Sequence, residues 1–475
     1  AASDVYKRQL LQGTGAMAVV GSLSGLIPET AHAMNSLGAK PELLNKRAGT
    51  VKYHSCLRNC ADRCLMKFRV QDGRMTYVSG AEKQAKTGTC PCVKGLTYVE
   101  YTYAPDRILH PMERIGEKGS HKWRRITWEE AWAKLITKTK EVVAKYGPEA
   151  VLPYSYSGNY GAIGMHASGE RFFNRLGASY LDRLVCTEAG VWGYGSVQGT
   201  TDGPDPDEIP NCDCYISWGF NETVSNVHGI KLINQMRDKG GVVLAVNPNR
   251  TPICSQADVY LQNYPGSDAW VATGVMKYLI AHDETIDHEF LDKCCIGADK
   301  VFEKVNSVKW EDIERVTGCK RAEIEKFAAL YGKSKNCIIR GGYGMQRNYN
   351  GARMTRAIAI MHALRGMFDR PNAGIIYDNV RSITGMNNFD GRGNYFLTGK
   401  EQHVNMTDLD QALKAKNPTS QNLIDNHTTP PQPIKPIHLF FFYNGNPVAV
   451  SPNVNQVIEN LKRDDRYVVG FDMIM

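Results

Sequence analysis

The spacing of four cysteines near the amino-terminal end constrains this chain more than any other feature. Cys56, Cys60 and Cys64 recur at every fourth residue, and Cys92 follows after a longer interval, giving C-x3-C-x3-C-x27-C. Three thiolates on one looped segment can hold three corners of an iron–sulfur cubane, while the fourth corner is reached by a chain that returns from elsewhere. The pattern therefore predicts a [4Fe–4S] cluster.

Two other interpretations of these cysteines stay open on spacing alone. Structural zinc also takes four cysteines, although its ligands usually come as two close pairs rather than three in a row. Disulfides are the second alternative if the chain is exported. Cys90 also competes with Cys92 for the fourth position, and the spacing does not decide between them.

The composition is that of an ordinary globular protein. Of the 475 residues, 42% are hydrophobic and 22% charged, and the formal net charge is +8. These values exclude a disordered or fibrous chain, and 13 cysteines over such a length exclude a small disulfide-stapled scaffold. The length suggests about three domains. No basic stripe interleaved with aromatic residues is present, so no nucleic-acid partner is predicted.

The first 33 residues have the parts of an export signal. Lys7 and Arg8 precede an apolar run over 13–28, and Ala31-His32-Ala33 forms a small-x-small cleavage site. The basic pair resembles that of a twin-arginine signal, with Lys7 in the place of the first arginine. We therefore expect an exported protein, periplasmic or on the outer face of the cytoplasmic membrane, and the alternative is an amphipathic leader that stays attached.

Beyond residue 128, helical spacing alternates with short apolar runs. Helices are predicted at 130–146 and 228–239. Strands are predicted at 150–154, 215–219, 241–246, 438–443 and 467–472. Apolar runs separated by helices are typical of an α/β fold with parallel strands. The polar stretch 397–436 predicts a long surface excursion between two strands.

Loops that follow these strands carry the candidate binding residues. Glycine lets the backbone approach a ligand closely, and Asn, Thr, Arg and Asp can bind nucleotides or their phosphates. The candidates are Gly219, Asn221, Glu222 and Thr223; Asn247, Pro248, Arg250 and Thr251; Pro265, Gly266 and Asp268; Gly342, Gly344, Gln346 and Arg347; and Asn444 and Asn446. Taken singly, each loop is also compatible with an ordinary turn. No G-x-G-x-x-G fingerprint or P-loop is present, which argues against a nicotinamide or ATP site.

Three further stretches resemble one family. Residues 92–95 (Cys-Val-Lys-Gly), 103–108 (Tyr-Ala-Pro-Asp-Arg-Ile) and 126–131 (Ile-Thr-Trp-Glu-Glu-Ala) are similar to the amino-terminal signature of the dimethyl sulfoxide reductase family of molybdopterin oxidoreductases. The resemblance implies that Cys92 is the fourth cluster ligand and Cys90 a spare thiol. It also implies that Lys94 lies between cluster and pterin, and that the loops hold two molybdopterin guanine dinucleotides.

The same resemblance implies a metal ligand and a domain layout. Cys186 stands where the family places its one protein ligand to molybdenum, or to tungsten. The implied α/β layout begins with the export signal at 1–33 and a small iron–sulfur domain at 50–112. A discontinuous α/β domain follows at 113–175 and 350–475, around a Rossmann-like α/β domain at 176–349, and the family's carboxy-terminal β-barrel is missing.

The function implied is that of a catalytic subunit that reduces an S-oxide, N-oxide or related oxyanion by two electrons in anaerobic respiration. Cys186 and Lys94 are the expected catalytic residues, and electrons are expected to pass through the [4Fe–4S] cluster. The alternatives are a polysulfide or thiosulfate reductase of the same family, and a non-catalytic electron-transfer relative without molybdenum. Expected partners are a small oxidised substrate, a ferredoxin-like iron–sulfur subunit and a membrane anchor.

Overall fold

The computed structural model describes residues 49–474 except for 61, 63, 82–90, 159–167, 379–392, 400, 416–423 and 426–431. The predicted export signal at 1–33 and Cys90 lie outside the described residues. Among the helices that are described, none is long and apolar enough to cross a bilayer.

The described chain is a mixture of helices and short strands. The strands are β1 (Thr50–Ser55), β2 (Leu65–Gln71), β3 (Arg74–Gly80), β4 (Met112–Arg114), β5 (Trp123–Arg125), β6 (Val151–Ser155), β7 (Tyr180–Asp182), β8 (Cys214–Trp218), β9 (Val242–Val246), β10 (Val259–Leu261), β11 (Cys337–Gly341), β12 (Gly374–Ile376), β13 (His403–Asn405), β14 (Ile424–Asp425), β15 (Gln432–Pro433), β16 (Leu439–Tyr443) and β17 (Tyr467–Phe471).

The helices fall mostly between these strands. They are α1 (Val93–Leu96), α2 (Tyr98–Thr102), α3 (Trp128–Tyr146), α4 (Ser168–Leu176), α5 (Glu188–Gln198), α6 (Glu222–Ser225), α7 (Gly229–Asp238), α8 (Pro252–Gln256), α9 (Asp268–Ala281), α10 (His288–Cys294), α11 (Ala298–Ser307), α12 (Trp310–Thr317), α13 (Arg321–Lys333), α14 (Gly351–Ala363), α15 (Leu409–Lys414), α16 (Pro447–Val450) and α17 (Val454–Lys462). Short 3-10 helices span Pro148–Ala150, Pro206–Asn211, Asp283–Thr285, Met367–Asp369, Asn394–Phe396 and Met406–Asp408.

The cysteine-rich segment is built on an antiparallel meander of β1, β2 and β3. Asp72 and Gly73 join β2 to β3, and both have positive φ, as the favoured two-residue hairpin turn requires. Met66, Phe68 and Val78 pack together in its small core. Because β1 ends at Ser55 and β2 begins at Leu65, the loop that carries the first three cysteines is anchored at both ends.

The largest sheet has five parallel strands in the order β10-β9-β8-β11-β12. The strands are short apolar runs because helices cover the sheet on both faces. From β8 the chain builds outward on one side through β9 and β10, then returns to add β11 and β12 on the other side of β8. The strand order therefore reverses between β8 and β11, which makes their carboxyl ends the expected ligand crevice.

This sheet extends past the domain boundary predicted at 349. Strand β12 pairs with β11, and α14 packs against α5 and α9 in the same hydrophobic core. Thr355 on α14 donates to the carbonyl oxygen of Gly190 on α5 at 3.3 Å.

A second parallel sheet brings distant parts of the chain together, in the order β17-β16-β6. Leu439 of β16 lies opposite Val151 of β6 and Tyr467 of β17. Beside it, β7 pairs in parallel with β13.

The predicted surface excursion at 397–436 is wrong for its middle part. Val404, Met406, Leu409 and Leu413 are buried in one core cluster together with Phe440 of β16. Each of these buried side chains stands two to four positions from the next. Polar residues lie between them, so the sequence shows no continuous apolar run there.

Candidate functional site

The four predicted cluster cysteines line one cavity, together with Arg58, Asp62, Pro91, Lys94 and Gly95. Cys56 follows β1 directly, and its backbone N–H donates to the carbonyl oxygen of Cys64 at 2.7 Å, which closes the loop between β1 and β2. Cys92 is the N-cap residue of α1, and the Gly95 and Leu96 N–H groups of that helix donate to the Cys92 carbonyl oxygen. The structure therefore brings together Cys56, Cys60, Cys64 and Cys92.

The cavity is unfavourable for uncompensated thiolates. Burial raises the pKa of Cys60 to about 11 and that of Cys64 to about 12, and the neighbouring Asp62 carboxylate adds to both shifts. Burial disfavours a charged sulfur, so ionised thiolates here need bound cations. Iron supplies that charge when a cluster binds, and the donor set fits.

The four thiols line one cavity, and four cysteine thiolates are the usual ligand set of a [4Fe–4S] cluster. Among the described residues, no group of three or more His, Cys, Asp or Glu side chains is placed to hold a single metal ion. The twelve cysteines within the described residues are all free thiols.

Lys94 connects the cysteine cavity to the large sheet. Its Nζ donates to the carbonyl oxygen of Val224, in α6 after β8, at 2.8 Å. The adjacent Gly95 is required by packing, because a Cβ there would stand 2.8 Å from Cβ of Pro91. The Lys94-Gly95 pair thus places a cation between the cavity and the loop after β8.

Asp62 and His228 are site residues that sequence reasoning missed. Asp62 is buried, and its Oδ1 accepts from Asn226 Nδ2 at 2.6 Å. His228 Nδ1 lies 3.1 Å from Asp62 Oδ2 and 3.7 Å from Cys64 Sγ. Asp62 is a single aspartate between two cysteines, and His228 is far from it in the chain, so the two residues form no sequence motif. Only the position of Asp62 inside the cysteine loop could have drawn attention to it.

The loops after β8 and β11 meet at the point where the strand order reverses. Gly342 N–H donates to the carbonyl oxygen of Trp218 at 2.8 Å. A Cβ on Gly342 would stand 1.9 Å from the carbonyl oxygen of Gly219, so only glycine permits this approach. Gly219 itself has φ +61°, in the region that favours glycine. These two predicted residues therefore form the floor of the crevice.

The loop after β9 lies against the loop after β8. Asn247 Nδ2 donates to the carbonyl oxygen of Phe220 at 3.1 Å, while Asn221 Oδ1 accepts from Thr223 Oγ1 at 2.6 Å. Thr251 precedes α8 as its N-cap residue, and Arg250 Nε donates to Ser255 Oγ at 3.3 Å.

The remaining predicted loop residues occupy related positions. The carbonyl oxygen of Pro248 accepts from Gln262. Pro265 and Gly266, the latter with φ +81°, lie in the turn before α9. Gly344 accepts from Arg347 N–H through its carbonyl oxygen at 3.2 Å.

Two predicted carboxyl groups are buried beneath the loops. Glu222 Oε1 accepts from Tyr215 OH at 3.0 Å, and Asp268 Oδ1 accepts from Trp218 Nε1 at 2.8 Å. Burial raises the pKa of both. Their positions favour support of the loops over direct contact with a ligand.

Cys186 lies in the turn before α5 and is held from two sides. Gln346 Nε2 donates to the carbonyl oxygens of Val185 at 3.0 Å and Cys186 at 2.9 Å. Arg347 Nη2 stands 3.8 Å from Cys186 Sγ. Tyr156, just after β6, accepts through its hydroxyl from Cys186 N–H at 3.2 Å. Burial, and secondarily the Cys186 sulfur, raises the pKa of Tyr156, so its hydroxyl stays neutral.

The structure thus brings Cys186 together with the predicted Gln346 and Arg347, and adds Tyr156, which no sequence signal identified. Asn444 and Asn446 lie elsewhere, after β16 of the second sheet. The carbonyl oxygen of Asn444 accepts from Gly158 N–H at 2.8 Å, two residues beyond Tyr156, and Asn446 caps α16. Residues from the ends of both parallel sheets therefore approach the Cys186 turn.

A cysteine-lined cavity beside a crevice at a strand-order reversal defines a cofactor-dependent redox protein of the α/β class. The chain belongs to the molybdopterin oxidoreductase family, whose model matches residues 107–475. The family's Fe4S4 domain matches residues 50–104. These matches give the chain its cofactors, molybdenum held by molybdopterin and a [4Fe–4S] cluster, and they confirm the sequence-based family prediction.

Curated relatives agree with this assignment. The chain is 28% identical over 420 residues to "Probable oxidoreductase YoaE" of Bacillus subtilis, covering 88% of this chain and 59% of the relative. It is 27% identical over 415 residues to "Dimethyl sulfoxide reductase DmsA" of Escherichia coli, covering 77% and 49%. The chain therefore spans about half to three-fifths of the length of these relatives.

A solved structure shows the same fold. Acetylene hydratase from Pelobacter acetylenicus superposes with a TM-score of 0.68 at 20% identity, over 89% of this chain and 61% of that one. The predicted mixed α/β fold with parallel sheets is confirmed by this likeness. The predicted domain ranges and the missing β-barrel stay predictions.

Proposed function

We propose that the chain is the catalytic part of an enzyme that reduces an S-oxide, N-oxide or related oxyanion by two electrons in anaerobic respiration. The observation that carries the proposal is the meeting of Cys186 with Gln346 and Arg347 at the crevice, beside a cavity lined by four cysteines. In the reaction, the substrate takes up two electrons and two protons and loses one oxygen atom as water.

The cysteines and Lys94 form the proposed electron route. Cys56, Cys60, Cys64 and Cys92 would hold the [4Fe–4S] cluster, and Lys94 would lie between it and the pterin. Lys94 Nζ already reaches the backbone of Val224, next to the crevice loops. A cation in that position favours electron arrival by offsetting negative charge.

Cys186 is the proposed ligand to molybdenum, or to tungsten. A thiolate is a soft ligand, which suits a metal already bound by sulfur. When bound, the metal supplies the two-electron and oxygen-transfer chemistry. Gln346 fixes the Cys186 turn through its two hydrogen bonds, Arg347 holds positive charge near the sulfur, and Tyr156 keeps a neutral hydroxyl there.

The crevice loops are the proposed cradle for two molybdopterin guanine dinucleotides. Gly219 and Gly342 let the loops after β8 and β11 pack directly against each other, which brings the candidate binding residues of the two loops together. Asn247, Arg250 and Thr251 at the neighbouring loop offer an amide, a guanidinium and a hydroxyl for phosphates or bases. Asn444 and Asn446 would contact the cofactor from the second sheet.

The substrate class, location and partners are further parts of the proposal. Relatives named dimethyl sulfoxide reductase favour an S-oxide. We propose export to the periplasm or the outer face of the cytoplasmic membrane. There, a ferredoxin-like iron–sulfur subunit and a membrane anchor would supply electrons.

A second candidate function comes from another relative. The chain is 26% identical over 333 residues to acetylene hydratase of Syntrophotalea acetylenica. Addition of water to a triple bond is therefore an alternative to reduction. It differs in consuming no electrons.

The test is turnover by the full-length protein purified without oxygen. Reduced viologen dye is supplied with dimethyl sulfoxide, trimethylamine N-oxide, polysulfide or thiosulfate, and acetylene is assayed separately. We expect dye oxidation with an S-oxide or N-oxide, and loss of that activity in Cys186→Ala. The exposed Cys294→Ala is the matched control and keeps activity. Activity with polysulfide, thiosulfate or acetylene alone, or full activity of Cys186→Ala, would contradict the proposal.

A further inference from the structure

One short segment, residues 224–228, contacts the cysteine cavity at four points. The carbonyl oxygen of Val224 accepts from Lys94, and that of Ser225 lies 3.5 Å from Cys60 Sγ. Asn226 donates to Asp62, and His228 lies beside Cys64. This segment follows β8, so the cavity is attached directly to the loop that forms the crevice.

Asp62 is the centre of these contacts. Its buried carboxylate accepts from Asn226 Nδ2, from the backbone N–H of His228 at 3.3 Å and from the Cys60 thiol at 3.4 Å. When Cys60 binds iron it loses its proton and no longer donates. Among the described residues, Asn226 and His228 then remain as its hydrogen-bond donors.

His228 Nδ1 lies between two acceptors in this setting. It lies 3.1 Å from Asp62 Oδ2 and 3.7 Å from Cys64 Sγ. A carboxylate and a metal-bound thiolate are both acceptors, so only a protonated Nδ1 interacts favourably with either. The same N–H is therefore shared between Asp62 and the cluster ligand Cys64.

We propose that Asp62 and His228 set the reduction potential of the [4Fe–4S] cluster, acting through the sulfur of Cys64. The inference rests on the proposed role of the four cysteines as cluster ligands. Hydrogen bonds to ligand sulfurs and nearby charge are among the factors that set cluster potentials. An N–H donor stabilises the more electron-rich reduced cluster, whereas the Asp62 charge destabilises it. The two residues therefore act in opposite directions.

The test is a redox titration of the cluster, followed by electron paramagnetic resonance, in the full-length holoprotein. His228→Phe removes the donor, and we expect a lower midpoint potential. Asp62→Asn removes the charge, and we expect a higher one. Each shift is expected to be about tenfold in the one-electron equilibrium constant, which is about 59 mV. His228→Gln, which retains an N–H donor, should stay closer to the wild-type potential than His228→Phe does.

A second histidine–aspartate pair provides matched controls. His288 Nε2 lies 2.8 Å from Asp283 Oδ1 on the exposed surface. His288→Phe and Asp283→Asn should leave the potential unchanged. Shifts of the same sign in the two site variants, or intact clusters at the wild-type potential, would overturn the inference. If His228→Phe loses the cluster, His228→Gln and Asp62→Asn decide the question.

The titration requires no turnover. Opposite shifts in a protein that reduces no substrate would contradict the proposed reaction and support this inference. An active enzyme with unshifted potentials would support the proposed reaction and contradict this inference. A wild-type protein without a [4Fe–4S] signal would contradict the inference.

Discussion

Cys186 is fixed by side chains of other elements rather than by regular secondary structure. The carbonyl oxygens of Val185 and Cys186 are both satisfied by Gln346, which is buried and comes from the loop after β11. Gln346 Oε1 also accepts from Gly190 N–H on α5 at 3.3 Å. One amide therefore joins the turn, the helix and the crevice loop.

Gln346→Glu should separate the donor role of this amide from its acceptor role. The carboxylate keeps the acceptor for Gly190 but loses both donors, so two carbonyl oxygens lose their partner. We expect the free energy of unfolding to fall by about 1–3 kcal/mol, the range for buried groups left unsatisfied. Urea denaturation followed by circular dichroism measures the change.

The control for this prediction is Gln262→Glu. Gln262 Nε2 also donates to a backbone carbonyl oxygen, that of Pro248, but at an exposed position. We expect a change within about 0.5 kcal/mol. Equal losses in the two variants would show that burial of Gln346 is unimportant.

Asp287 predicts a pH dependence of stability. A hydrogen bond from Arg370, at 2.7 Å, lowers the pKa of this carboxyl, and the N–H of Phe290 contributes. Because the pKa of Asp287 is lowered in the folded state, its ionised carboxylate stabilises the fold fully above the unfolded pKa of about 3.9. This stabilisation is lost as pH falls through the folded pKa. Asp287→Asn, which can still cap α10, should reduce stability at pH 7 by about 0.5–1 kcal/mol.

The difference between wild type and Asp287→Asn should disappear as pH falls below the lowered pKa. Thermal unfolding measured from pH 7 down to acid pH tests this. Asp283→Asn, at a more exposed ion pair, is the comparison and should have a smaller effect. A difference that grows toward acid pH would have the wrong sign for this account.

At the scale of elements, the approach of the β8 and β11 loops depends on the absence of a side chain at Gly342. Gly342→Ala places a Cβ against the carbonyl oxygen of Gly219, which is backbone and cannot rotate away. We expect a loss of about 1–3 kcal/mol in stability from overpacking, together with weaker cofactor retention. Calorimetry and guanine nucleotide released on denaturation measure the two effects.

Gly344→Ala in the same loop is the control. A Cβ at that position meets nothing within 4 Å, and its φ is not in the left-handed region. Its stability and nucleotide content should match those of the wild type. A harmless Gly342→Ala would mean that the two loops do not need to meet.

The sequence predicted elements best where burial is continuous. Apolar runs at 215–219 and 241–246 correspond to β8 and β9 because both faces of a parallel sheet are covered. The prediction for 397–436 failed because Val404 and Met406 are each buried between polar neighbours. Of the site, Cys56, Cys60 and Cys64 were predictable from spacing, and Cys92 and Cys186 from the family resemblance. Asp62, Tyr156 and His228 were not predictable. Their roles arise from contacts between segments far apart in the chain.

At the scale of the whole molecule, the cysteine-rich meander and the two parallel sheets converge. Lys94 and Asp62 connect the meander to the loop after β8. Asn59 Nδ2 donates to the carbonyl oxygen of Ser157, beyond β6, at 2.9 Å. The meander therefore contacts both sheets, which suits an electron route that ends where the two sheets meet.

The central claim is that Cys56, Cys60, Cys64 and Cys92 hold a [4Fe–4S] cluster beside a metal held by Cys186. Metal analysis and low-temperature electron paramagnetic resonance of the full-length protein, purified without oxygen, test it most directly. We expect about four iron atoms and one molybdenum or tungsten per chain. Cys92→Ala should lose the cubane signal, while Cys295→Ala retains it. Zinc in place of iron, or an unchanged cluster in Cys92→Ala, would contradict the account.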